Sequence, residues 1–295
     1  MSRTPINPSG ALPLASTRVF SNEDATTASP RPEDVFPWSN IYTEPGGPPP
    51  RRPPKLVRRL FIWGFIGANA AISIAWAYAA DEAAAAGMTG TRSVFLRPSH
   101  VRAPGSLVYM VKNFGLSGRS LRQGRWWTLL TSGVSHIAPA HLIVNMCEFY
   151  TWASRCFDLG LGPGSVAGLM LGSAVCCSVA GLANEVPWWP TLHMGASGII
   201  SGLRVAAILL EPVMGFRVPV VCDVRYPLFI TMMTGCAIDL NGMLSQRREL
   251  TAASVANGGV RDAHKTLVGY AGHLGGAAFG VIYWYLWLRS RFGTC

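Results

Sequence analysis

Charged residues are scarce in this sequence. Asp, Glu, Lys and Arg together make up 14% of its 295 residues, whereas soluble globular domains carry about 25%. Hydrophobic residues account for 49%, and there are 32 glycines. Small residues in so apolar a chain are typical of closely packed membrane helices. The composition therefore predicts a membrane protein, and the length allows one membrane domain with a soluble arm.

Signatures of other functional classes are also missing. No Cys-x-x-Cys pair and no His-Glu-x-x-His motif occur, and the seven cysteines are odd in number. These absences argue against a disulfide framework and against a metal site, so we expect no metal and no cofactor. The net charge of +10 comes without a nucleic-acid motif. Basic residues crowd before the first apolar run, which suits lipid headgroups, so no nucleic-acid partner is expected.

The N-terminal part of the chain has the composition of an unfolded arm. Residues 1–56 lack hydrophobic periodicity and are rich in Pro, Ser, Thr and Gly. They predict a disordered arm, followed by a membrane domain at 57–295. The first 22 residues carry Arg3 and Arg18 but no acid, which is weakly similar to a mitochondrial transit peptide. An ordinary disordered cytosolic tail fits the same residues.

Six apolar stretches follow, and their lengths favour membrane helices. They cover residues 60–80, 139–156, 166–182, 195–210, 227–243 and 266–288. The predicted fold is therefore an all-α membrane protein with a bundle of six helices. Arg204 lies inside the fourth stretch, so this helix either is short or directs Arg204 toward Glu211. A polar loop is expected between the last two helices, at residues 246–265.

Polar residues inside apolar stretches mark a candidate site, because such groups are costly in a membrane. Ser197 opens the fourth stretch within Gly-Ala-Ser-Gly, and His273 lies in the sixth within Ala-Gly-His-Leu-Gly-Gly. A serine nucleophile needs a base within hydrogen-bond reach and donors for the oxyanion. Glycines recur on one face of each helix, and such faces pack closely. This packing would bring His273 beside Ser197.

A third group of polar residues belongs to the second helix. His141 and Asn145 lie one turn apart and share a face, and both can donate hydrogen bonds to an oxyanion. His136 precedes Pro139 and is expected outside the helix, where it would anchor the loop. The residues alone leave purely structural alternatives open. Ser197 could be a small residue at a tight helix crossing, His273 could be hydrogen-bonded to a neighbouring helix, and the third group could be a structural polar cluster.

Together these motifs resemble a known family. His136-x4-His141-x3-Asn145, the Gly-Ala-Ser-Gly at Ser197 and the Ala-Gly-His-x2-Gly-x3-Gly at His273 resemble the rhomboid intramembrane serine proteases. The surroundings of the serine and histidine are similar to the mitochondrial members. The resemblance covers about residues 60–288. It implies a six-helix core in the lipid bilayer that cleaves the transmembrane segments of single-span membrane proteins.

The resemblance also implies a role for each site residue. Ser197 would be the nucleophile and His273 its base. His141, Asn145 and the Ser197 backbone N–H would line the oxyanion hole, with His136 as a supporting residue. The family's dyad uses no acid, so we expect a structural role for the two acids well inside the apolar stretches, Glu148 and Asp239.

Two other functions compete with a protease. An inactive rhomboid-like protein that binds membrane clients would usually lack Ser197 or His273, whereas this chain has both. A small membrane transporter would be favoured by an inverted repeat, and none is visible. The motif similarity and the acid-free start favour the mitochondrial inner membrane, with the Golgi or another secretory membrane as the second choice.

Overall fold

A computed structural model describes residues 52–88, 104–185, 191–211, 213–218, 222–256 and 268–289. Within these ranges the chain is nearly all helical. The predicted arm, 1–56, lies almost entirely outside them, and its last two residues already belong to the first helix. The helices are α1 (Lys55–Ala85), α2 (Gly105–Phe114), α3 (Gly118–Arg122), α4 (Thr128–Thr131), α5 (Pro139–Asp158), α6 (Pro163–Ala183), α7 (Ser197–Leu210), α8 (Leu228–Ala256) and α9 (Tyr270–Tyr283).

A helix occupies each of the six predicted apolar stretches. Three of the described helices are long and apolar enough to cross a membrane: α1, α6 and the Leu228–Ala252 part of α8. α5 and α6 each begin with a proline, which suits the first helical turn because proline lacks the N–H that would be unpaired there. α9 continues into a π-helical turn, Trp284–Leu288.

The core lies around α7, and this explains why so short a helix is stable. α7 has 14 residues, of which all but three are buried. Its apolar side chains pack against α5 and α6 in a cluster that includes Phe149, Leu169, Ile200 and Leu203. Because neighbouring helices cover it on most sides, α7 does not have to match the thickness of a bilayer by itself.

A second apolar cluster fixes the segment between α1 and α5. Trp76 and Ala83 of α1 pack with Leu107 and Met110 of α2. The Trp76 indole N–H also donates a 2.5 Å hydrogen bond to the Ser135 hydroxyl, in the loop that leads into α5. The connection after α1 is therefore held against the bundle next to the start of α5.

α7 and α9 touch through their glycines. A Cβ added at Gly280 would lie 2.6 Å from the Gly202 carbonyl oxygen, and one added at Gly276 would overlap the carbonyl of Gly198. The two backbones are in direct contact at these positions, so only residues without a side chain fit. This close approach sets the distance between the first turns of α7 and α9.

Two segments differ from the sequence prediction. Residues 246–256, expected to open a polar loop, continue α8, because the segment is rich in Arg, Glu, Leu and Ala, contains no Gly or Pro, and so favours helix. Residues 257–265 lie outside the described ranges. An antiparallel hairpin, β1 (Val213–Val218) with β2 (Cys222–Pro227), joins α7 to α8 and is the departure from an all-α fold. Its Val, Phe and Tyr residues favour strands.

Gly276→Ala should destabilise the protein, because its methyl group would overlap the backbone of α7. We expect a loss of about 1–3 kcal/mol, as for overpacked cores. The measurement is thermal unfolding in detergent micelles. Gly64→Ala in α1 is the matched control, since nothing lies within 4 Å of its added Cβ, and it should leave stability unchanged or raise it by up to about 1 kcal/mol. Equal melting temperatures for both variants would contradict the glycine contact.

Candidate active site

Ser197 is the first residue of α7, and the backbone before it is shaped by a glycine. Gly195 has a φ of 120°, which L side chains rarely adopt. A Cβ at this position would also lie 2.8 Å from the His141 ring. The chain can therefore turn sharply into α7 beside α5. At this helix start the first backbone N–H groups have no partner within the helix.

His273 lies in the first turn of α9 and faces Ser197. Its Nε2 is 2.9 Å from the Ser197 hydroxyl oxygen, a normal hydrogen-bond distance. The histidine side chain is 21% exposed, so the pair is shielded but reachable. The distance is short enough for a proton to pass from the hydroxyl to the ring.

The other nitrogen of the same ring is hydrogen-bonded to an acidic side chain. His273 Nδ1 lies 2.9 Å from a carboxylate oxygen of Asp239, whose side chain is 14% exposed. Asp239 belongs to α8, so three helices meet at one imidazole. The sequence interpretation gave Asp239 a structural role and missed its place in the site. The signal was present, because an acid within an apolar stretch points to a polar partner.

α5 and the loop before it supply further polar groups next to the start of α7. The Asn145 amide nitrogen is 2.8 Å from His136 Nε2, and the Ala196 backbone N–H donates to the same ring nitrogen at 3.3 Å. His136 is fully buried in the loop before α5, which is where the sequence placed it. It ties the start of α7 to the face of α5 that carries His141 and Asn145.

A cavity of about 660 Å³ connects these groups. Its wall includes both members of the Ser197–His273 pair, Asp239, His141 and Asn145. His136 does not line the cavity and lies behind Asn145. The structure thus brings together all five residues singled out from the sequence, four at the cavity and one behind it, and adds Asp239.

An aromatic ring lies beside the histidine. Tyr270, at the start of α9, presents its ring to His273 edge to face, with centroids 6.4 Å apart. The Ser201 hydroxyl, one turn after the candidate nucleophile, donates to the Ser197 carbonyl at 2.9 Å. Ser201 therefore bonds to backbone and takes no part in the hydrogen bonds of the ring.

The chain is similar to a family of known proteins. Residues 123–290, more than half of the chain, match the rhomboid domain. "RHOMBOID-like protein 12, mitochondrial" of Arabidopsis thaliana is 24% identical over 199 residues, covering 62% of this chain and 53% of the relative. "Rhomboid-like protein 16, chloroplastic" of the same plant is 33% identical over 124 residues, covering 36% of this chain and 37% of the relative.

The chain thus spans between about a third and about half of the length of these curated relatives. No solved structure matches the chain significantly. With the three apolar helices long enough to span, the domain match indicates an integral membrane protein.

Low pH should destabilise the folded protein by protonating His136. Burial lowers the pKa of His136 to about 4, and the neighbouring His141 adds to the effect. The unfolded chain binds this proton near pH 6.5. Stability from the neutral ring is therefore complete above about pH 6.5 and is lost as the pH falls toward 4. Melting temperatures measured from pH 8 to pH 4 should show this fall.

His136→Gln is the matched variant for that measurement. A glutamine side chain can keep an acceptor for the Asn145 amide and the Ala196 N–H, but it does not titrate in this range. Its melting temperature should fall less than that of the wild-type protein between pH 6.5 and pH 4. The same fall in both proteins would show that His136 is not the responsible group.

Proposed function

The chain belongs to the rhomboid family, and we propose that it is an intramembrane serine endopeptidase that cleaves the transmembrane segments of single-span membrane proteins. The observation that carries the proposal is the 2.9 Å contact between the Ser197 hydroxyl and His273 Nε2 at the wall of a cavity. A serine hydroxyl that is hydrogen-bonded to a histidine, as at the start of α7, is an arrangement suited to acyl transfer.

In the first step the Ser197 oxygen attacks the scissile carbonyl carbon while its proton moves to His273 Nε2. The carbonyl electrons move onto oxygen and form a tetrahedral oxyanion. His273 then gives the proton to the leaving amine as the C–N bond breaks, which leaves an acyl-enzyme. Water attacks this ester with His273 again as the base, releasing the acid and restoring the serine hydroxyl.

The oxyanion would be held by donors from α5 and α7. Ser197 is the first residue of α7, so its backbone N–H has no partner within the helix. An amide nitrogen carries two N–H groups, so Asn145 can keep one bond to His136 and offer the other to the cavity it lines. His141 lines the same wall. His136 supports these donors by fixing the Asn145 amide.

The same proposal includes the architecture around the site. Six helices, α1 and α5 to α9, would form the membrane domain within residues 57–295, and residues 1–56 would be an arm outside the bilayer. Three of these helices have span length by themselves. α7 is covered by its neighbours, so a six-helix core accommodates it.

Two other functions make different predictions. A client-binding protein without activity would not need a serine hydroxyl bonded to a ring nitrogen. A transporter would use the cavity as a passage, and its function would survive loss of the serine hydroxyl. Both alternatives are therefore separated from a protease by variants at the site.

Ser197→Ala and His273→Ala should each lower cleavage by at least about 10³-fold, because the nucleophile and its base act as a unit. The measurement is cleavage of a single-span substrate by the purified protein in detergent, with fluorophosphonate labelling in parallel. Ser201→Ala is the matched control, since its hydroxyl lines the same cavity but bonds to backbone; it should keep cleavage and labelling. Cleavage that survives in Ser197→Ala would overturn the mechanism.

We further propose the mitochondrial inner membrane as the location, supported by the mitochondrial relative and by the acid-free first 22 residues. A C-terminal fluorescent fusion should colocalise with an inner-membrane marker, and deletion of residues 1–56 should abolish import. Colocalisation with a Golgi marker would contradict this location and favour a secretory membrane.

A further inference from the structure

We propose that Asp239 is a positioning residue that holds His273 in the tautomer able to accept the Ser197 proton. The inference rests on the proposed function, and it adds a third residue to the serine–histidine pair. The His273 ring makes two hydrogen bonds. Its Nδ1 lies 2.9 Å from Asp239, and its Nε2 lies 2.9 Å from the Ser197 hydroxyl.

The chemistry of the three groups fixes the direction of both hydrogen bonds. An ionised carboxylate only accepts, so His273 Nδ1 must carry the proton that it shares with Asp239. In a neutral imidazole the other nitrogen is then unprotonated. Nε2 accepts the hydroxyl proton of Ser197, which is the state that a general base requires. When Nε2 takes that proton, the ring becomes a cation and the carboxylate stabilises it without becoming protonated.

No other described group can replace Asp239 at this ring. His141 faces the site from α5, Cys177 approaches Gly272 from α6, and Tyr270 lies edge-on from the same helix. None of these is an acid. Glu148 also lines the cavity, but its side chain is exposed on α5. Among the described residues, the carboxylate hydrogen-bonded to His273 is that of Asp239.

A cation lies against the same face of α8 as Asp239. Arg204 comes from α7, two turns below Ser197, and its guanidinium nitrogen would be 3.4 Å from a Cβ at Gly235. Gly235 precedes Asp239 by one turn on the same face of α8. Arg204 therefore does not extend toward Glu211, which is paired with Arg155 instead. The Arg204 guanidinium therefore lies on the side of α8 that carries Asp239.

A purely structural role would have a different signature. If Asp239 only tied α8 to α9, its loss would lower stability but would leave the tautomer of His273 and the reactivity of Ser197 in each folded molecule unchanged. If it positions the base, Asp239→Asn should act on the chemical step, because an asparagine amide can donate to Nδ1 and force the proton onto Nε2. The wrong tautomer cannot take the serine proton.

The test compares the full-length protein with Asp239→Asn, Asp239→Glu and Glu148→Gln, using the same single-span substrate in detergent. Asp239→Asn should lower kcat by about 10²–10⁴-fold, with KM little changed, and should slow fluorophosphonate labelling of Ser197 in parallel. Asp239→Glu, which keeps the carboxylate, should recover part of the loss. Glu148→Gln is the matched control, since it removes one carboxylate from the same cavity, and it should keep kcat.

Ring ¹⁵N NMR of the histidines gives a readout that stability does not affect. The His273 signals, assigned by their loss in His273→Ala, should report Nδ1–H in the wild-type protein and Nε2–H in Asp239→Asn. Wild-type kcat in Asp239→Asn, or an unchanged His273 tautomer, would overturn the inference while loss of cleavage in Ser197→Ala still supports the protease. Absence of both cleavage and labelling in the wild-type protein would overturn both proposals.

Discussion

The backbone contact between α7 and α9 is the constraint on which the site depends. Ser197 and His273 belong to the first turns of these two helices, and the serine side chain is short. They reach 2.9 Å only because glycines at the crossing let the helix backbones touch. Van der Waals contact between glycine faces is an effective source of helix association in lipid, where apolar surface alone gives little preference for a neighbour. The same contact that stabilises the bundle therefore sets the geometry of the site.

Close packing brings polar groups into an apolar bundle. Hydrogen bonds between these groups reduce the free-energy cost of burying them. His273 uses one ring nitrogen for Ser197 and the other for Asp239. Next to the start of α7, His136 accepts hydrogen bonds from both the Asn145 amide and the Ala196 N–H. Connected groups of this kind are more rigid than isolated polar side chains, since each bond restricts the next. The network joins α5, α7, α8 and α9 at one end of the bundle.

The sequence predicted the helices better than the segments between them. Apolar length was a sufficient signal for all six stretches, and the glycine spacing predicted which faces of α7 and α9 meet. The polarity of residues 246–256 predicted a loop, which is wrong because their helix propensity extends α8 to Ala256. The hairpin between α7 and α8 was missed because short strands leave little periodic signal and their pairing depends on residues brought together by the turn. Both errors concern segments at the ends of α8.

At the site, the sequence by itself determined which residues carry chemistry, because a serine and a histidine framed by glycines are conspicuous in a chain with 14% charged residues. It also determined family membership, through motifs that the domain match covers. Only the tertiary structure decided which acid meets the histidine and that Arg204 lies against α8. Spacing along one helix gives the face on which a residue lies, but the partner across a helix interface depends on rotation and depth, which packing alone sets.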